Sequence, residues 1–267
     1  MIALKDMIQK AREDGYSDED AEAKVCQDIV LKALSESLLR GKVTIKGGVV
    51  MRSISKNARR ATQDMDIDFI RYSLSDESIL SFVNAINCLE GIQIRPQGSI
   101  TELKQQDYHG KRIHVTISDG VGDAITSKID LGVHTRYDIQ QEEYCFDIAC
   151  FDDGANLLIN SKEQMFTEKL RSLLKFGPNS TRYKDVYDMH FLSGFLVRDK
   201  LNNCVKAYIF DDPGMRENNW NDVLRRLSMT FSNRRYVDRL SRSRKNWLDM
   251  DSAEVLSEIT DYIRTIL

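Results

Sequence analysis

The chain is predicted to be a mixed α/β protein: a sheet flanked by helices, followed by a helical C-terminal half. Three observations lead there. Ile113, Val115 and Ile117 alternate with polar residues before a turn at Asp119–Asp123, and Ile125, Ile129, Leu131 and Val133 alternate after it. That is the period of strands with one buried face. A second alternation sets Asp64, Asp66 and Asp68 against Met65, Ile67 and Phe69. From Ser161 onward helical spacing dominates, with breaks at Gly177-Pro178, Asp211–Gly214 and near Asp249.

The elements follow in order. Ser17 or Asp18 caps a helix in which Val25, Ile29, Leu31, Leu34 and Leu38 recur until Gly41. Val43-Thr44-Ile45 forms a short strand into Gly47-Gly48, and a helical turn runs from Val49 to about Ser53. The aspartate strand comes next. Ser75-Asp76-Glu77-Ser78 then starts a helix with Ile79, Phe82, Val83 and Ile86 as its buried stripe. Past Pro96 the chain turns to strands, the hairpin around Val121 and an edge strand over Tyr144–Ala149. A boundary near Gly154 divides residues 1–154, a core with N-terminal helices, from residues 155–267, a helical domain.

Length and composition narrow the class. With 267 residues, 42% hydrophobic and 30% charged, the chain supports one large domain or two small ones. No apolar run reaches the roughly eighteen residues of a membrane span, and the N-terminus lacks a signal-peptide pattern, so a cytoplasmic protein without membrane contact is expected. Cys26, Cys88, Cys145, Cys150 and Cys204 are scattered, without a Cys-x-x-Cys pair, and read as free thiols. The net charge of −3 excludes an overall basic protein. Between Arg225 and Lys245, however, Arg226, Arg234, Arg235, Arg239, Arg242 and Arg244 face only Asp238, which is either a solvated helix face or a nucleic-acid surface.

Three constellations carry chemistry. Asp64, Asp66 and Asp68 share one strand face, where they repel unless a divalent cation joins them; such oxygen donors suit Mg²⁺ or Mn²⁺. Asp64/Asp66 and Asp66/Asp68 are equally spaced as metal pairs, and Asp130 offers a further carboxylate from a second strand. Gly47 and Gly48 stand between strand and helix, where small residues let phosphate reach backbone N–H groups. In the C-terminal half Lys169 falls within the apolar arc of Met165, Phe166, Leu170 and Leu173. It either snorkels or meets an anion, a ligand phosphate being the sharper option. Arg182, Asp185 and Asp188 recur along one side of the next helix.

These segments together resemble the AbiEii/AbiGii family of nucleotidyltransferase toxins, within the DNA polymerase beta-like nucleotidyltransferase superfamily. The resemblance rests on Lys46-Gly47-Gly48 with Met51-Arg52, on Arg60 to Asp66, on Ile129-Asp130-Leu131, and on Glu168-Lys169 followed by Arg182 to Asp188. It covers somewhat over half the chain, and implies a nucleotidyltransferase-type sheet and transfer of a nucleoside monophosphate from a nucleoside triphosphate with release of pyrophosphate. It further implies a toxin of a bacterial toxin–antitoxin or phage-defence pair, with a cognate antitoxin. In that scheme Gly47 and Gly48 cradle the triphosphate and Asp64 and Asp66 bind Mg²⁺, with Asp130 as the third strand carboxylate. Lys169 contacts phosphate and Asp185 joins the active site. Many superfamily members carry Gly-Ser where this chain has Gly47-Gly48, leaving backbone N–H groups and Arg52 or Ser53 to hold phosphate; Arg182 and Asp188 are further nucleotide-binding candidates. RNA, tRNA above all, is the expected acceptor, gripped by Arg234, Arg235 and Arg239. The rivals are a protein or small-molecule acceptor, and a non-catalytic interaction module.

Overall fold

A computed structural model describes residues 3–103, 110–149 and 151–267, the side chain of Asp152 excepted. Cys150 therefore lies outside the described residues, while Cys26, Cys88, Cys145 and Cys204 are free thiols. The chain divides into two compact units, Met1–Asn160 and Ser161–Leu267.

The first unit opens with α1 (Leu4–Glu13) and α2 (Asp18–Glu36), the latter capped by the Ser17 side chain, which accepts from Asp20 N–H. Such a cap contributes about 1 kcal/mol. β1 (Val43–Lys46) leads directly into α3 (Gly47–Ser55), and β2 (Met65–Ile70) carries the aspartates. α4 (Asp76–Ala85) is capped by Ser75, and its stripe of Ile79, Phe82, Val83 and Ile86 is wholly buried. Phe82 packs its ring 5.2 Å from that of Phe69, so α4 covers the Phe69 end of the apolar face of β2. Burying one such side chain stabilises by roughly 1.5–3 kcal/mol.

β3 (Ile92–Leu103), β4 (Gly110–Asp119), β5 (Ala124–His134), β6 (Glu142–Ile148) and β7 (Phe151–Ile159) complete a seven-stranded sheet ordered β3-β4-β5-β2-β1-β7-β6. β2 runs parallel to β5 and β1 parallel to β7, while the other pairings are antiparallel, which makes the sheet mixed. Pro96 does not precede the strands but sits inside β3. That strand is at the sheet edge, where a residue without an N–H is tolerated. The division between units falls after Asn160 and not at Gly154, because β7 runs through Gly154 in a left-handed conformation (φ +62°) before pairing with β1.

The second unit is helical: α5 (Lys162–Phe176), α6 (Tyr183–Ser193), α7 (Arg198–Val205), α8 (Trp220–Phe231), α9 (Arg234–Ser241) and α10 (Ser252–Ile266). Side chains of Ser161, Asn219, Asn233 and Asp251 cap α5, α8, α9 and α10. Beyond the expected breaks, the helices also stop at Gly194 and at Ser232-Asn233. Among the described residues no helix is long and apolar enough to cross a membrane.

Candidate active site

In the first unit the strand register assembles the carboxylates. Lys46 of β1 pairs with Asp66 of β2, Asp66 with Asp130 of β5, and Asp130 with Arg112 of β4. Residues paired in this way point to the same sheet face. One row across four strands therefore reads cation, carboxylate, carboxylate, cation. Arg112 grips Asp130 through two parallel hydrogen bonds, Nε to Oδ1 at 2.6 Å and Nη2 to Oδ2 at 2.7 Å, and this contact leads the upward shift of the Arg112 pKa. Lys128 meets Asp64 at 2.6 Å, and Lys46 meets the buried Asp68 at 2.8 Å.

Asp66 forms no ion pair of its own among the described residues, and its carboxyl is pushed up from 3.8 to about 6. Burial is the main cause; Lys46 opposes it, while Asp130, Asp64 and Asp68 push the same way. A divalent cation would give such a group a partner. The residues fit one: carboxylate oxygens on adjacent strands, one of them desolvated and crowded by like charge. Among the described residues no three His, Cys, Asp or Glu side chains are already disposed around one metal position. Asp64 and Asp130 are instead paired with Lys128 and Arg112.

Gly47 and Gly48 open α3 directly against this face. A Cβ on Gly47, whose φ is +66°, falls 2.2 Å from Asp66 Oδ2, and one on Gly48 falls 2.5 Å from Thr62 Oγ1. The missing side chains thus make room for the aspartate strand and the loop before it. Arg52 is only 4% exposed, with Nη1 donating to Gln27 Oε1 and Nη2 to Asp28 Oδ1 at 3.1 Å. Its guanidinium sits in the interior of the unit. Arg60 is likewise buried, so the loop before β2 presents less positive charge than its sequence suggests.

Sequence reasoning passed over the polar side chains of α2. Gln27 Nε2 donates to Thr62 O at 2.8 Å and also faces Asp64 O at 3.5 Å, while Asp28 takes Lys24 as a second cation. Gln27 and Asp28 are both wholly buried. They tie α2 to α3 and to the backbone that carries Asp64. The available signal was a polar pair in mid-helix flanked on both sides by apolar residues. Arg112 and Lys128 were missed too, although both sit across the hairpin register from or beside the carboxylates.

In the second unit Lys169 of α5 finds its anions within the unit: Asp185 at 2.9 Å and Asp188 at 2.8 Å, both on α6. Asp188 has no exposure, so it is not a surface ion-pair residue; Trp247 Nε1 donates to its other oxygen at 3.0 Å. Arg171 points elsewhere, to Asp212. Arg182 precedes α6 and is exposed, as are Arg234, Arg235 and Arg239 on α9. Arg239 also donates to Pro178 O.

A family model described as nucleotidyl transferase AbiEii toxin, type IV TA system, matches residues 29–256. No curated protein matches the chain. Among solved structures it is similar to an antigenic nucleotidyltransferase-like protein from Paracoccidioides brasiliensis, with 13% identity and a TM-score of 0.45, over 82% of this chain and 91% of that one.

Proposed function

This chain belongs to the nucleotidyl transferase AbiEii toxin family of type IV toxin–antitoxin systems, and from that premise we propose a metal-dependent transfer of nucleoside monophosphate from a nucleoside triphosphate to RNA. The favoured acceptor is tRNA, the metal Mg²⁺ or Mn²⁺, the setting the bacterial cytoplasm, and the biological role a toxin held in check by a cognate antitoxin, including in phage defence. The observation that carries the reading is Asp66, a half-buried carboxylate that forms no ion pair among the described residues, set against Gly47 and beside Asp130.

Asp64 and Asp66 are the proposed metal pair, because Asp68 is held by Lys46 with its side chain only 7% exposed, whereas Asp64, although it meets Lys128, keeps 47% exposure. A bound divalent cation would supply charge neutralisation and activation of the attacking hydroxyl. The chain's own residues do the rest. Gly47 and Gly48 offer backbone N–H groups at the start of α3 to the phosphates. Asp130, fixed by Arg112, stands beside that pair as the third strand carboxylate of the site. Lys169, held by Asp185 and Asp188, offsets the negative charge that grows on the leaving pyrophosphate. Arg182 adds a nucleotide contact, and Arg52, buried against Gln27 and Asp28, acts by positioning α3. Arg234, Arg235 and Arg239 bind RNA backbone.

The acceptor is tested by RNA retention and labelling. Retention should weaken steeply with salt, and charge reversal at Arg234, Arg235 and Arg239 should abolish labelling of RNA. Labelling that survives the reversal defeats that surface, and label on protein or on small products assigns a different acceptor.

A further inference from the structure

Tyr187 and Asp188, neighbours on α6, bond respectively to the first residue of α10 and to the segment that leads into it. Tyr187 Oη lies 2.8 Å from Ser252 Oγ, and Trp247 Nε1 donates to Asp188 Oδ1 at 3.0 Å. That segment is folded to deliver the indole. Asn246 Nδ2 closes a turn on Met250 O at 2.7 Å, Asp249 takes a left-handed conformation (φ +60°), and Phe191 packs its ring 5.5 Å from the Trp247 ring. The indole is 3% exposed.

A buried carboxylate needs hydrogen bonds to stay where it is. Asp188 divides its two oxygens, one for the indole N–H and one for the Lys169 ammonium. Lys169 and Asp185 keep some exposure, at 11% and 19%, while Asp188 keeps none. The hidden carboxylate therefore anchors a lysine that keeps part of its side chain exposed.

We infer that Trp247 is a positioning residue of the transferase: through Asp188 it fixes the direction in which Lys169 presents its ammonium to phosphate. This rests on the transferase reading, since Lys169 has a phosphate to meet only if the chain uses a nucleoside triphosphate. Loss of the indole N–H leaves Lys169 charged and attached to Asp185 but lets Asp188 rotate. Binding of triphosphate then survives better than the chemical step.

Two measurements on the full chain test it. In Trp247→Phe, which keeps the ring against Phe191, kcat for transfer from a labelled nucleoside triphosphate should fall about tenfold while KM changes little and the melting temperature stays within a few degrees. Trp220→Phe, which removes the indole bonded to Asn202, should keep the wild-type rate. Independently of activity, the Trp247 indole ¹H–¹⁵N signal should move in Lys169→Met while that of Trp220 stays. An unmoved Trp247 signal, or an active wild type whose kcat is untouched by Trp247→Phe, overturns the inference. A wild type without transfer but with the signal shift contradicts the transferase reading and supports the link from Trp247 to Lys169.

Discussion

Asp66 and Asp130 face each other across the parallel pairing of β2 with β5, and the cations that flank them, Lys46 and Arg112, stand next in the same row. Arg112 neutralises Asp130 directly. Asp66 is left as the carboxylate with the strongest demand for a partner, at the point where Gly47 has no side chain.

Asp66→Asn should stabilise the metal-free protein while ending transfer. The folded carboxyl titrates near 6 against an ordinary 3.8, so the folded state binds more protons than the unfolded one between those values. Stability therefore falls as pH rises through that window, and the full penalty applies above it. Melting of the metal-stripped variant should rise by a few degrees at neutral pH, with little gain near pH 4. Mg²⁺ should raise the melting temperature of the wild type and leave the variant unmoved. A variant less stable than wild type at neutral pH contradicts the electrostatic account.

Gly47→Ala tests the contact from the other side. The added methyl meets Asp66 Oδ2 and the backbone is held at φ +66°, so a loss of about 1–3 kcal/mol is expected together with loss of transfer. Denaturant unfolding measures the first and product labelling the second; full activity in a stable variant defeats the close approach.

Gln27→Met removes the hydrogen bonds of a side chain that joins Arg52 to the loop before β2. Leaving buried partners unsatisfied costs about 1–3 kcal/mol. If the loop is positioned by Gln27, kcat measured well below the melting temperature drops as well. A variant that is destabilised but turns over at the wild-type rate assigns Gln27 to stability alone.

Asp119 ties α1 to the hairpin. Its Oδ2 accepts from Leu4 N–H, and its Oδ1 accepts from Val121, Gly122 and Asp123 N–H, each at 3.0 Å. The Leu4 bond leads a downward shift of its pKa. Its stabilisation is thus present above pH about 4 and lost as pH falls through the lower folded value. Asp119→Ala should lower the melting temperature at neutral pH, and the difference should shrink in strong acid. A difference constant with pH contradicts this.

Much of the first unit was legible because its signals are local. The aspartate alternation gave β2, the stripe of Ile79, Phe82, Val83 and Ile86 gave α4, and the turn at Val121 gave β4 and β5. β3 and β7 were hidden by Pro96 and Gly154, which ordinarily break strands and here sit at an edge and at a left-handed irregularity. Counting outward from Val121 already places Arg112 opposite Asp130, so that ion pair was within reach of the sequence. The bonds of Gln27 to the loop before β2 and of Trp247 to Asp188 were not, because each joins residues far apart in the chain with no periodicity to relate them.

Transfer itself is measured by incubating the purified protein with Mg²⁺, total bacterial RNA and each α-³²P-labelled nucleoside triphosphate in turn, beside Asp64→Ala/Asp66→Ala. Label is expected on a tRNA-sized species and should disappear in the double variant and on metal chelation. Label that persists in the double variant, or no label on any product from the wild type, contradicts metal-dependent transfer.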